Sequence, residues 1–336
     1  PNPHVGCVLV RDGHVIGEGF TQPAGGNHAE IEALQAAGDA GAATAYVTLE
    51  PCSHQGKTGP CADALIVAGV SRVVVAMEDP NPLVSGDGLA KLQAAGIEVE
   101  CGLLENEARA VIPGFIARMS RGRGRVRAKL AMSLDGRTAM ASGESQWITG
   151  PAAREDVQRL RAMSCAIVTG VGTVLADDCA LTVRGAHHLH DRQPLRVVLD
   201  SNLQTPTAAK ILDSTALTLL CHDASQSVSA EISATGVELL PLDRTENGLD
   251  LVALLEHLAA RHCNEILVES GPRLAGALLQ AGLLDEMIVY LAPTLMGSAA
   301  QPLLQLPLDS MSQKVALEGV DVRRVGQDWR FTAITG

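Results

Sequence analysis

Aromatic residues are nearly missing from this chain: two Trp, two Tyr and three Phe among 336 residues. A core must then be aliphatic, and the 46% hydrophobic content supplies one from Ala, Val, Leu and Ile. Stacking platforms for single-stranded nucleic acid are scarce for the same reason. Positive charge is also short, with 26 Lys and Arg against 38 Asp and Glu. A net charge of −12 opposes a polyanion-binding surface, because affinity for nucleic acid rests on Lys and Arg at phosphates. Room remains for a local basic pocket holding one phosphate. No run of about 18 apolar residues is present, so no membrane-spanning helix is expected. No signal-peptide pattern opens the chain. The eight cysteines are scattered, unlike the dense framework of a small secreted domain. The reading is a cytoplasmic protein with reduced thiols, two of them used for a metal. The chain starts at Pro1 without Met, so the natural N-terminus is read as missing.

What is present is an alternation of short apolar runs and helical stretches, long enough for two domains. Val5–Val10 and Val15-Ile16 flank Asp12-Gly13 and predict a hairpin. Helices are expected over Ala29–Ala37, Ala62–Ala68 and Gly88–Ala95, and strands over Ala45–Leu49, Val73–Ala76 and Ile97–Val99. This pattern is an α/β layer with helices on sheet faces. Residues 120–127 are charged and Gly-interrupted, which reads as a solvated linker. The expected organisation is a first domain over 1–120, a linker over 121–126 and a second domain over 127–336. There, strands are expected over Arg127–Met132, Ala166–Thr169, Arg196–Leu199, Thr215–Leu220, Glu265–Glu269 and Met287–Leu291. Helices are expected over Pro151–Met163, Leu249–His262 and Arg273–Ala281, with a closing hairpin at Val320–Val325 and Trp329–Ile334.

His28-Ala29-Glu30 opens a predicted helix, Cys52 follows a strand, and Cys61 begins another helix. Two thiolates and an imidazole suit Zn²⁺, and three protein ligands leave a fourth position for water, the mark of a catalytic site. The metal lowers that water's pKa to about 7. Helix N-termini near the cysteines favour the thiolate. Glu30 is then no ligand but the general acid/base, moving a proton from water to a ring nitrogen and to a leaving amine, as in zinc deaminases with His-x-Glu and Pro-Cys-x-x-Cys. The present chain departs from that pattern, with eight residues between Cys52 and Cys61. The bland alternative is a structural zinc site with His54 as fourth ligand, which leaves Glu30 unexplained.

The segment TLEPCSHQGKTGPCADAL, the opening PNPHVGCV and the HAE triplet resemble the pyrimidine deaminase of riboflavin biosynthesis. That resemblance implies a cytidine-deaminase-like three-layer fold. It also implies that Asn2, His54 and Lys57 contact the substrate, Lys57 at a phosphate. Gly59 stands where that family has the first of two prolines, and Thr21 where it often has His. The helix that precedes the PNP segment in that family is absent from this sequence.

In the second half, Thr169-Gly170-Val171-Gly172-Thr173 and Glu269-Ser270-Gly271-Pro272 each join a strand to a helix. Either turn could cradle a phosphate at a helix start or be a routine connection. The first lacks the third glycine of the dinucleotide fingerprint. LAMSLDGRTAMASGESQWITG, TVLADDCALTVR and VESGPRLAGALLQAGLLDE resemble the reductase that follows this deaminase in bifunctional riboflavin enzymes. That resemblance implies a dihydrofolate-reductase-like fold and NADPH as cofactor. It implies Ala131, Trp147, Thr173, Asp177, Ser201 and Gly271, Pro272, Arg273, Leu274, Ala275, Gly276 and Ala277 around NADPH. Ser145, Arg161, Leu181, Arg184 and Glu269 would hold substrate, with Arg161 and Arg184 suited to its phosphate by their donor forks. Asp177, ahead of Lys129, is the expected polar group at the chemistry. Cys179 replaces the usual Pro after Asp-Asp, which predicts a looser turn. His187, His188 and His190 read as a solvated loop.

The resemblances span nearly the whole chain and imply zinc-dependent hydrolytic deamination of 2,5-diamino-6-ribosylamino-4(3H)-pyrimidinone 5′-phosphate, then NADPH-dependent reduction of its ribosyl group. A homo-oligomer with no nucleic-acid or membrane partner is expected. The alternatives are a nucleic-acid or nucleoside base deaminase with a non-catalytic second domain, and a structural zinc module joined to a binding domain.

Overall fold

The computed structural model describes residues 2–54, 59–82, 84–187, 192–246 and 248–335. It divides into two compact units, Pro1–Arg123 and Gly124–Gly336.

The first unit carries β1 (Gly6–Arg11), β2 (His14–Phe20), α1 (Ala29–Ala37), β3 (Thr44–Val47), α2 (Cys61–Val67) and β4 (Arg72–Val75). It continues with α3 (Asp87–Ala94), β5 (Glu98–Cys101), α4 (Glu105–Val111) and α5 (Pro113–Arg121). The sheet order is β2-β1-β3-β4-β5, with β1 antiparallel to both neighbours and β3, β4 and β5 parallel. Asp12 and Gly13 both take positive φ, the twist a two-residue hairpin needs. Ala33, Leu65 and Leu92 from α1, α2 and α3 pack with Leu9, Val47 and Val75 in one aliphatic cluster. Ala108, Ile112 and Phe115 from the α4–α5 stretch pack with Leu49, Ala76 and Met77 in another. Helix α1 lies unusually close on β2: a Cβ at Gly17 would stand 2.3 Å from Ala33 O, and one at Gly19 2.2 Å from Ala29 O. Two bare glycines thus let the helix backbone seat on the strand and fix where its first turn points.

The second unit opens with β6 (Arg125–Ser133), β7 (Arg137–Ala139), α6 (Pro151–Ala162), β8 (Ala166–Gly170), α7 (Val171–Asp177), β9 (Leu195–Leu199) and β10 (Thr218–Asp223). Next come α8 (Ala230–Ala234), β11 (Glu238–Leu242), β12 (Arg244–Thr245), β13 (Gly248–Leu249), α9 (Leu251–Ala260), β14 (Glu265–Glu269) and α10 (Pro272–Gln280). The chain closes with β15 (Glu286–Ala292), β16 (Gln301–Pro302), β17 (Glu318–Val325) and β18 (Asp328–Ile334). Among the described residues one nine-stranded sheet dominates, in the order β11-β10-β9-β8-β14-β6-β15-β18-β17. Strands β11 through β15 in that order run parallel, and β18 and β17 complete the sheet antiparallel.

The charged stretch expected as a linker is mostly ordered element. Helix α5 runs to Arg121, Gly122 caps it in the left-handed region, and β6 begins at Arg125. Arg125 pairs with Glu286, and Arg127, 4% exposed, sits 3.1 Å from Glu265 Oε2. Their partners lie far along the chain, on β15 and β14, so local composition disguised paired strand residues as solvated ones.

Candidate active sites

In the first unit three elements deliver the metal ligands. His28 is the N-cap of α1, Cys52 follows the Glu50-Pro51 step after β3, and Cys61 is the first residue of α2. Their ligand atoms all lie within 4.8 Å of one another. His28 Nδ1 is 3.3 Å from Cys61 Sγ and 3.6 Å from Cys52 Sγ, and the Cys61 N–H donates to Cys52 Sγ at 3.3 Å. Hydrogen bonds from Cys61 and His28 pull the Cys52 thiol well below its ordinary value. A soft, preformed three-ligand set of this kind fits zinc. His54 is exposed and is not part of this cluster, which removes the fourth ligand of the structural-zinc alternative.

Glu30 is the second residue of α1, 3% exposed, and burial pushes its carboxyl up to about 7. A carboxylate poised there can both take and give a proton near neutral pH. Asn2 is half-buried ahead of β1. Lys57 lies outside the described residues. Thr21 is engaged elsewhere: its hydroxyl accepts from the Val5 N–H at 3.0 Å.

Sequence reasoning missed Glu50. Its buried carboxylate accepts from the N–H groups of Asp79 and Gly86 at 3.0 Å each, of Gly88 at 2.8 Å and of Leu89 at 3.4 Å. Gly88 comes so close that a Cβ would stand 2.1 Å from Pro51 O. Glu50 therefore ties the segment between β4 and α3 to the turn that presents Cys52. The available signal was a glutamate directly before Pro-Cys at a strand end, facing a glycine-rich segment.

In the second unit a cleft of about 2190 Å³ opens along the carboxyl ends of the parallel strands. The two glycine turns are where they were expected: β8 ends at Gly170 as α7 begins, and α10 starts at Pro272 just after β14. Lys129, Ala131, Thr173, Ser201, Gly271, Pro272, Arg273, Leu274 and Ala277 line the cleft. Ala275 and Gly276 do not: Ala275 is core, and a Cβ on Gly276 would strike Gln305 O at 2.2 Å. Helical periodicity turns those two positions away while 273, 274 and 277 face the cavity. Trp147 is exposed on the wall with the Arg154 guanidinium 4.6 Å from its ring centre.

The deepest group is a charge cluster. Arg161 holds Glu269 through two bonds, Nε at 2.6 Å and NH2 at 3.0 Å, and its NH1 donates to Thr182 O at 2.9 Å. That fork is engaged, whereas Arg184, the other arginine expected at the phosphate, is exposed on the same wall. Lys129 Nζ lies 4.0 Å from Glu269 Oε2. Burial lowers the Lys129 pKa, while the cations Arg161 and Lys129 outweigh burial and hold Glu269 ionised below its ordinary value. Asp177 accepts from Ser145 Oγ at 3.0 Å and Gln146 Nε2 at 3.3 Å, and Leu181 is buried beside them in the cleft wall.

The turn carrying Cys179 is held despite its missing proline. Asp178 accepts the Lys210 N–H at 2.9 Å and pairs with its Nζ at 3.1 Å, and Ala180 O accepts from Arg196 at 3.3 Å. Of the three loop histidines, His187 lies 2.7 Å from Glu155 Oε1, and His188 and His190 fall outside the described residues.

Two family models match the chain. The family model for the cytidine and deoxycytidylate deaminase zinc-binding region matches residues 1–77, and that for the RibD C-terminal domain matches residues 125–331. The riboflavin biosynthesis protein RibD of Escherichia coli is 51% identical over 98% of this chain and 92% of its own length. That of Haemophilus influenzae is 44% identical over 99% and 91%. Among solved structures, Acinetobacter baumannii RibD superposes with a TM-score of 0.92 at 47% identity, covering 100% of this chain and 93% of that one. A diaminohydroxyphosphoribosylaminopyrimidine deaminase/5-amino-6-(5-phosphoribosylamino)uracil reductase from Thermotoga maritima gives 0.88 at 32% identity with the same coverage. The chain belongs to the RibD family and is a bifunctional deaminase and reductase of riboflavin biosynthesis, with a cytidine-deaminase-like unit followed by a reductase unit.

Proposed function

We propose that the first unit removes the 2-amino group of 2,5-diamino-6-ribosylamino-4(3H)-pyrimidinone 5′-phosphate as ammonia, and that the second reduces the ribosyl group of the product with NADPH. The boundary between the two activities falls between residues 120 and 127. The observation that carries the reading is Glu30, buried beside the three-ligand set and not a member of it. His28, Cys52 and Cys61 would hold zinc, which when bound supplies an activated water at neutral pH. Glu30 takes a proton from the attacking water and gives it to the pyrimidine ring nitrogen, then takes the second proton from the hydroxyl formed at the ring carbon and gives it to the departing amine. Asn2, His54 and Lys57 are assigned to orienting the substrate.

In the cleft of the second unit, bound NADPH supplies the hydride. Ala131, Trp147, Thr173, Ser201 and the turn from Gly271 are assigned to the cofactor. Ser145, Leu181, Arg184 and Glu269 are assigned to substrate, with Arg161 as the group that fixes Glu269. The hydrogen bonding favours Lys129 over Asp177 as proton donor. Asp177 accepts two hydrogen bonds and serves as an orienting acceptor, whereas burial makes the Lys129 ammonium readier to release a proton.

A homo-oligomer is part of this reading. Strand β17 is the sheet edge, and Val320, Val322 and the neighbouring Trp329 are exposed on it. All eight cysteines are free, which supports a reducing, cytoplasmic setting.

One assay tests the two activities together. The diamino substrate and NADPH are supplied, and ammonia and NADPH oxidation are followed in the same tube. Ammonia should appear first, and oxidation should depend on zinc. With deaminated product supplied directly, oxidation should no longer need zinc. Oxidation of the diamino substrate without ammonia would overturn the order of reactions.

A further inference from the structure

NADPH differs from NADH by one phosphate on the adenosine ribose, and its reader can be located if the cleft of the second unit holds NADPH as assigned above. The reacting end of the cofactor must meet substrate beside Lys129 on β6 and Glu269 on β14. The Gly271 turn follows β14, Thr173 follows β8 and Ser201 follows β9, and in the sheet these strands run outward in the order β6, β14, β8, β9, β10. The cofactor therefore extends across successive strand ends. At about 4.8 Å per strand, the end of β10 lies roughly 19 Å from β6, where the adenosine ribose falls.

Two cations line the cleft wall on that side, Lys210 and Arg244. Lys210 is pinned by Asp178 through both its N–H and its Nζ. Arg244, the first residue of β12, is loosely placed: its NH1 is 3.5 Å from Asp223 Oδ2 and its side chain is half exposed. Asp223 itself is held firmly. Its Oδ1 accepts from the Ser225 N–H at 2.9 Å and from Ser225 Oγ at 2.7 Å, and its own N–H donates to Ser201 O at 3.3 Å. Ser201, Asp223 and Arg244 thus make one corner at the ends of β9 and β10.

In nucleotide-binding α/β sheets an acid at such a strand end engages a ribose 2′-hydroxyl, and an arginine accommodates a 2′-phosphate. Here both stand together, with the arginine covering the acid. A dianionic phosphate outcompetes a 3.5 Å contact for a bidentate fork. A neutral hydroxyl does not.

We propose that Arg244, set at the end of β10 by Asp223 and flanked by Ser201, recognises the 2′-phosphate of NADPH and gives the reductase its preference over NADH.

Calorimetric titration of the full chain with 2′,5′-ADP and with 5′-AMP tests this without turnover. The wild-type chain should bind 2′,5′-ADP at least about tenfold more tightly than 5′-AMP. Arg244→Ala should lose about tenfold or more on 2′,5′-ADP while 5′-AMP changes by less than about twofold, which also shows the cleft still folded. Arg244→Lys, with the charge but not the fork, should fall between. An Arg244→Ala chain that keeps its affinity for 2′,5′-ADP, or loses both ligands equally, overturns the assignment and leaves the NADPH reading standing. A wild-type chain that binds neither ligand overturns the NADPH reading and this inference with it.

Discussion

Two buried glutamates in the first unit show how neighbours decide what a carboxylate does. Glu30 has ionisable thiols and an imidazole around it, and burial lifts it to about 7. Replacing it with Gln removes the proton carrier and keeps the shape. Ammonia release should fall by about 10²–10⁴-fold while zinc content, measured by atomic absorption, stays at that of the wild type. Full activity in Glu30→Gln would remove it from the chemistry. Glu50 instead faces four backbone N–H groups. Its truncation to Ala leaves those donors buried and unanswered, at about 1–3 kcal/mol each where no water replaces the bond. Since it also braces the Cys52 turn, Glu50→Ala should weaken zinc binding by about 10–100-fold. Glu50→Gln, which keeps one carbonyl acceptor, should recover part of that loss in a competitive chelator titration. Equal zinc affinity in Glu50→Ala and wild type would confine Glu50 to loop structure.

At the scale of elements, close backbone approach and buried charge hold the parts that carry the sites. A methyl on Gly19 would meet Ala29 O, one residue from Glu30, and nothing flexible stands there to yield. Gly19→Ala should cost about 1–3 kcal/mol by overpacking and lower zinc affinity with it. Gly59→Ala, whose Cβ meets nothing within 4 Å among the described residues, should shift the melting temperature hardly at all. In the second unit Asp156 on α6 accepts from Tyr290 Oη at 2.8 Å and Arg330 NH1 at 3.0 Å, tying α6 to β15 and β18. Burial alone would raise the Asp156 carboxyl, but Tyr290 and Arg330 outweigh it and hold its pKa below the ordinary value. A carboxylate depressed in the folded state contributes stability above its unfolded pKa and loses it as the pH falls through the folded value. Asp156→Ala should therefore destabilise this unit at pH 7 by about 3 kcal/mol, and the gap from wild type should narrow below about pH 4. A gap independent of pH in denaturant titrations would assign the loss to packing alone.

Element-scale legibility follows the same physics. Helix α1 was readable to its ends because its apolar face and the Gly38 stop are local. Helices α4 and α5 were not, since Ala108 is the buried residue of α4 and Pro113 interrupts the pattern. The His28, Cys52 and Cys61 set and Glu30 could be read from the His-x-Glu triplet and the Pro-Cys step, although the Cys52–Cys61 spacing departs from the usual deaminase pattern. Glu50, the Arg161–Glu269 fork and the Asp178–Lys210 tie could not, because each is defined by partners that only the fold brings near.

At the scale of the whole molecule, each unit depends on a different ligand, and linkage makes that visible. The zinc ligands come from three elements spread over Ala29–Val67 and its N-cap, so a metal there cross-links a large part of the first unit. The unfolded chain holds no such preformed set, and binding free energy therefore becomes folding free energy. A ligand present at about 1,000 times its dissociation constant adds roughly 4 kcal/mol. NADPH, bound in the cleft proposed for it, would act by the same law on the second unit. Scanning calorimetry of the full chain should then resolve two responses. A chelator such as EDTA should lower one unfolding transition and abolish ammonia release. The transition raised by NADPH should be the other, and it should stay in place when the chelator is added. A single transition moved by both reagents would mean that the two units unfold as one cooperative body, and it would make zinc a stabiliser of the reductase as well as of the deaminase.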